Sequence, residues 1–203
     1  MAESPLEISK PKLLIGEGVE ELRFFSAMLK HLNINDTLVE EYGGKHRLSS
    51  FIKNLPLRPG FSSVLSLGVT RDADESAESA FLSVCGALER AKLPVPARLG
   101  QPEGNDLRVS VFILPDGQSP GMLEDLCLRA VRGDPAMHCV DEYMKCVNEN
   151  AGRLPSSISK ARVRVWLASQ TRPDLRLGEA ADQGYWPWDV EVFEQIQQFV
   201  QNL

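Results

Sequence analysis

Two rhythms of apolar and polar positions run through the chain. Leu13-Leu14-Ile15 make a short apolar run that meets Gly16-Glu17-Gly18, and then Leu22, Phe25, Leu29 and Leu32 recur three or four residues apart. The first is the mark of a buried strand, the second of an amphipathic helix, and the glycines fit a tight turn between them. The alternation continues. "DTLVEEYGG" (36–44) predicts a second strand and "KHRLSSFIKNL" (45–55) a helix stopped by Pro56. "SSVLSLGVTRDAD" (62–74) predicts a third strand running into an acidic turn. "SAESAFLSVCGALERAKL" (76–93) predicts a helix with Ala80, Val84, Ala87 and Leu88 on one face. "LRVSVFILPDG" (107–117) predicts a fourth strand, and "GMLEDLCLRAV" (121–131) a helix. Strands alternating with helices imply an α/β fold, a parallel four-stranded Rossmann-like sheet flanked by helices, with right-handed crossovers.

The pattern loosens after residue 133, and the chain divides into an α/β part, 1–133, and a mostly helical C-terminal extension, 134–203, packed on the same core. "DPAMHCVDEYMKCVNEN" (134–150) has helical spacing. In "SSISKARVRVWLASQ" (156–170), Val163, Val165 and Leu167 alternate like a strand, while Ile158, Ala161, Val165 and Ala168 fit a helix, and the helical reading is taken. "RPDLRLGEAADQGYWPWD" (172–189) predicts a long connection. Asp189 is placed to cap a last helix striped by Val192, Phe193, Ile196, Phe199 and Val200. Tyr185, Trp186 and Trp188 are assigned to packing of that helix rather than to base stacking.

The strand ends carry the chemistry. In open parallel sheets, ligands sit beyond the carboxyl ends of the strands. Here those ends present Glu17, then Asp72 and Asp74, then Asp116 shortly before Glu124. A dinucleotide fingerprint would read GxGxxG, but Glu21 stands at the third position, where it obstructs helix packing and repels pyrophosphate. Taken singly, Glu20 and Glu21 suit a first helical turn through the dipole, and Asp74 suits a helix cap. Taken together, Glu17 and Glu21 lie one turn apart, and Asp72 and Asp74, two apart on extended chain, point one way. Carboxylates so gathered repel one another unless a hard divalent cation, Mg²⁺ or Mn²⁺, neutralises them, and such ions engage substrate phosphates.

Charge and cysteines refine this picture. Net charge is -6, which disfavours a passive nucleic-acid coat, yet residues 151–178 hold six basic residues against one acid, Asp174. An acidic body with one basic segment, which includes Lys160, Arg162 and Arg164, suits a metal site beside a phosphate-binding surface as well as it suits a solvated helix face. Cys85, Cys127, Cys139 and Cys146 form no CxxC pair, so His138-Cys139 and Cys146 lack the partners of a zinc site, and buried thiols are expected. The apolar runs fall short of the ~20 residues that span a bilayer, so no membrane role is expected. "MAESPLEISKPK" lacks the basic start and apolar stretch of a signal peptide, which makes cytoplasmic residence the default. No Ser-His-Asp or Cys-His arrangement stands out.

"LLIGEGVEELRFF" followed by "SVLSLGVTRDADES", a strand–Glu–Gly–xx–Glu and then a strand–Asp–x–Asp, resembles the Toprim domain of topoisomerases, bacterial primases, RecR-type recombination proteins and OLD-family nucleases. The resemblance covers about residues 11–131. The whole chain also resembles a small bacterial and archaeal family described only as Toprim-like, through "FILPDGQSPGMLEDLCL" and "RPDLRLGEAADQGYWPWD". The Toprim resemblance implies divalent-metal phosphodiester chemistry on nucleic acid, DNA or RNA. In it Glu17 serves as general acid/base or metal ligand, and Asp72 and Asp74 as the metal-binding pair. Glu21 matches an OLD-like ExxxE variant, Glu124 a further acidic position for which Asp125 could substitute, and Lys160 a late phosphate-contacting lysine. No ATPase domain, primase-type zinc segment or strand-passage domain accompanies these motifs. The expectations are therefore a small nuclease, a binding module for nucleic acid or a partner, or a nucleotide-binding protein. A homodimer is a further expectation, because one such unit offers little area for gripping a duplex.

Overall fold

The computed structural model describes residues 7–203; residues 1–6, where the N-terminal stretch begins, lie outside them. Four strands, β1 (Lys12–Gly16), β2 (Thr37–Glu41), β3 (Ser66–Asp72) and β4 (Arg108–Leu114), form one parallel sheet in the order β2-β1-β3-β4. Register places Lys12 opposite both Thr37 and Ser66, and Ser66 opposite Arg108. Because β2 and β3 flank β1 on opposite sides, the order reverses at β1, and a crevice opens there beyond the strand ends.

The helices are α1 (Val19–His31), α2 (Leu48–Asn54), α3 (Ala77–Arg90), α4 (Leu123–Ala130), α5 (Ala136–Ala151), α6 (Ile158–Ala168), α7 (Leu177–Asp182) and α8 (Glu194–Gln201), with short 3-10 turns at Leu55–Leu57, Phe61–Ser63 and Glu191–Phe193. Side chains alternate across a strand, so each sheet face builds its own core. Leu13, Ile15, Leu67, Val69, Val109, Val111 and Ile113 face α2 and α3. Leu14, Phe112 and Leu114 face α1 and all of the helices from α4 onward. That second core contains Phe24, Trp166, Trp186 and Phe193, each buried, and burial of such a side chain contributes ~1.5–3 kcal/mol. Residues on both sides of position 133 therefore share one apolar cluster.

Several local expectations are corrected. The buried face of α1 is Phe24, Phe25, Met28 and Leu29, with Leu22 only half-buried, because α7 together with Trp188 and Phe193 covers the flank that the simple periodicity left open. The connection 172–189 contains α7, whose six residues are too few to show a period. Asp189 does not cap α8; it approaches His31 Nε2 at 3.5 Å, and a 3-10 turn intervenes before the helix. Cys127 is buried, but Cys139 and Cys146 are exposed on α5, so these two thiols are not core residues. Trp186 and Trp188 are core, as the packing reading expects, and segment 158–168 is helical. No described helix is long and apolar enough to cross a membrane.

Candidate functional site

The β1–α1 junction is built around Glu17 and Glu21. Glu21 reaches back from the first turn of α1, and its Oε2 accepts the Gly18 N–H at 2.9 Å, which fixes the carboxylate at the strand end. Gly16 is required beneath it, since a Cβ there would stand 2.8 Å from Glu21 Cβ. The Glu17 carbonyl accepts the N–H groups of Gly43 and Gly44 at 3.1 and 2.8 Å. Both glycines have positive φ, 81° and 96°, as that close wrap after β2 demands. Glu17 Oε1 accepts the Lys45 N–H at 3.2 Å, while Glu17 Oε2 is buried with no hydrogen-bond partner.

On the neighbouring strand, Asp72 Oδ1 accepts the Leu123 N–H at 3.0 Å at the start of α4. Tyr42 lies beneath, its hydroxyl donating to the Thr70 carbonyl at 3.1 Å. The result is a cavity of about 390 Å³ lined by Glu17, Glu21, Glu41, Asp72, Glu124 and Lys160, among others. Its electrostatics are unbalanced. Desolvation, then the charges of Glu17 and Glu124, raise the Glu21 carboxyl to about 7 against the pull of the backbone N–H groups. Asp72 is pushed to about 8 by desolvation and then by Glu21, Glu17 and Glu124. Glu124 is also raised, by burial first, with Lys160 opposing.

Asp74 departs from the expectation. β3 ends at Asp72, and Asp74 sits at φ 52° in a bridge to Gly121, so the two aspartates are not alternate residues of one extended strand. Asp74 Oδ2 pairs with Lys45 Nζ at 2.7 Å and lines a separate hollow with Arg71, Ser76 and Met122. Asp125 is likewise engaged elsewhere, with the Met122 N–H at 2.9 Å and the Ser159 hydroxyl at 2.5 Å. Of the basic residues, Lys160 lines the acidic cavity. Arg164 lines an adjoining hollow. Arg162 pairs with Asp141 at 2.5 Å and turns to another surface with Arg129 and Arg132.

Three neighbours escape the sequence reading. Glu41 ends β2, and the strand-end rule applied to that strand would have found it. Lys45 follows the paired glycines. Arg176 lies just before α7, a helix without a period to announce it.

These residues suit a hard cation in donor chemistry. Glu17 Oε2, Glu21 Oε1 and Asp72 Oδ2 accept no hydrogen bond among the described residues, and the first of these oxygens is buried. Among the described residues, however, no three Asp, Glu, His or Cys side chains form a ready-made metal cage.

Fold and site together define a doubly wound parallel α/β protein with an acidic cleft at its switch point. The family model for "Protein of unknown function (DUF3226)" matches residues 11–203, and the chain belongs to that family. Comparison with curated proteins gives no match. Among solved structures, the chain is similar to the C-terminal region of the Xanthomonas campestris pv. campestris OLD protein in two forms. The form phased with mercury is 13% identical, with 97% of this chain and 87% of that one covered and a TM-score of 0.37. The form phased with platinum is 11% identical, with 95% and 96% covered and a TM-score of 0.42.

Proposed function

We propose that the protein is a Toprim-type, divalent-metal-dependent phosphodiester hydrolase acting on nucleic acid. The observation that carries the reading is Glu17 Oε2, a buried carboxylate oxygen without a partner, in one cavity with Glu21, Asp72 and Glu124. Glu17, Glu21 and Asp72 would hold Mg²⁺ or Mn²⁺, with Glu124 at the cavity edge. Such an ion supplies charge neutralisation at phosphate and lowers the pKa of bound water. Glu17 would serve either as a ligand of that ion or as the acceptor of a proton from the attacking water. Lys160 Nζ binds phosphate oxygen, and Arg164 extends the cationic side. Arg162, engaged with Asp141, contributes little at this cleft.

Calorimetric titration of Mg²⁺ and Mn²⁺ into the wild type and Asp72→Asn, with cleavage assays on labelled single- and double-stranded substrates, tests the reading. Metal binding and cleavage are both expected in the wild type, and both are lost in the variant. Cleavage that survives Asp72→Asn would place the chemistry elsewhere. A second reading, a binding module without turnover, is favoured by the Lys45–Asp74 ion pair, which holds one aspartate of the expected metal-binding pair at a separate hollow. Metal binding without cleavage of any substrate would select it.

A further inference from the structure

Beside the acidic cavity lies a hollow of about 580 Å³ between α6 and residues 173–177. Glu20, Glu124, Lys160 and Arg176 line both, so the two adjoin. Val163, Leu167, Leu175 and Leu177 form its apolar floor, and around it stand Lys160, Arg164 and Arg176 together with the acids Glu20, Glu124 and Asp174. None of these three cations has a carboxylate within ion-pair distance among the described residues. Arg23, Arg58, Arg129 and Arg162 are all so paired. These three cations therefore face one concavity without a close ion pair, and Lys160 is opposed only through space by the Glu124 charge.

The wall of this hollow is rigidly built. Glu20 Oε2 accepts the Gly178 N–H at 2.6 Å, and Arg23 Nη1 donates to Glu179 Oε1 at 2.5 Å. Glu179 Oε2 accepts the Arg176 N–H at 2.9 Å, and Trp186 Nε1 donates to the Leu177 carbonyl at 3.0 Å. A Cβ at Gly178 would fall 2.6 Å from Arg23 Cβ, so α7 is seated directly on α1. Glu20 is therefore a positioning residue: it spends its charge on the backbone that presents Arg176.

We propose that this hollow receives the nucleotide next to the phosphate held at the carboxylates, and that the substrate is an unpaired strand. The proposal rests on the phosphodiesterase reading for the position of the neighbouring phosphate. The volume falls within the ~300–1,000 Å³ of ordinary ligand sites. An apolar floor below a cationic rim fits a base turned out of its stack, with its phosphate at the rim; a paired base stays inside its helix and reaches no such floor.

The test measures anisotropy of a fluorescent eight-nucleotide single strand and of a blunt duplex of the same sequence, without metal and with Ca²⁺. The proteins are wild type, Arg164→Ala/Arg176→Ala, Arg164→Lys, and Arg98→Ala as a distant control, each checked for folding by circular dichroism. Single-strand binding stronger than duplex binding is expected. The double variant loses roughly tenfold or more in affinity. Its log–log salt dependence becomes shallower by about 1.4. Arg164→Lys retains most of the affinity, and Arg98→Ala all of it. Tighter binding of the duplex, or unchanged single-strand affinity in the folded double variant, overturns the proposal. Mg²⁺ calorimetry on the same proteins separates the two readings. A flat wild-type titration with intact strand binding sinks the metal chemistry and leaves the hollow standing. Normal Mg²⁺ binding with strand affinity indifferent to Arg164 and Arg176 does the reverse.

Discussion

Glu21 and Asp72 are carboxylates kept from water and crowded by the like charges of neighbouring acids. Their folded values, about 7 and about 8, lie above the ordinary 4.5 and 3.8, so the folded chain holds protons that the unfolded chain releases. The stability they contribute is complete below about pH 4 and is lost as pH rises through 7–8. Asp72→Asn removes one of those charges. In thermal melts without metal, the variant is expected to lose several degrees less than the wild type between pH 5 and pH 8.5, at ~2–4 °C per kcal/mol. A wild type and variant with parallel pH profiles would refute the crowding of these acids. The DxD pair separates in the same spirit. Asp74→Asn should leave Mg²⁺ affinity within about threefold, because an exposed ion pair such as Asp74–Lys45 is worth ~0–1 kcal/mol, whereas Asp72→Asn should abolish binding in the same calorimeter. The sequence places Glu17, Glu21 and Asp72 near one another because the strand-end rule needs only topology. It misplaces Asp74 because the left-handed backbone there, set by the bridge to Gly121, comes from a partner 47 residues away.

At the scale of elements, β1, β3, β4, α1 and α3 are legible because each carries a clear run or period of apolar positions, whereas β2 has a single buried residue and 156–170 alternates like a strand as well as fitting a helix. What escapes is short or borrowed. α7 spans six residues, and its buried Leu177, Ala180 and Ala181 are too few to declare a face. Its place is fixed by α1, through Gly178 and Glu20. Gly178→Ala should therefore destabilise the fold by ~1–3 kcal/mol through overpacking, read as a lower melting temperature. The same variant should weaken single-strand binding, since Arg176 moves with the helix. The start of α8 is misread for a related reason: Asp189 has the chemistry of a cap, but the aromatic cluster of Phe24, Trp188 and Phe193 sets where the chain turns.

The described residues fold around one sheet with a core on each face, and the C-terminal residues belong to one of those cores. Leu203 lies against Gly68, where a Cβ would come within 2.8 Å of Leu203 Cδ2. Phe193, fully buried, touches Phe24 across the same core. Phe193→Ala should cost ~3–5 kcal/mol, and its melt should remain a single transition, since residues before and after position 133 share the cluster. Two resolved transitions would show that the helical extension unfolds by itself.

Trp166 and Trp186 stack at 4.9 Å with an interplanar angle of 22°, one on α6 and the other just after α7. Those are the elements that carry Lys160 and Arg176. The chain thus has a native optical probe in the core behind the wall that presents Lys160 and Arg176. A shift in indole emission on adding an oligonucleotide would register occupancy of the hollow with no dye attached, and quenching by acrylamide would report whether that wall breathes.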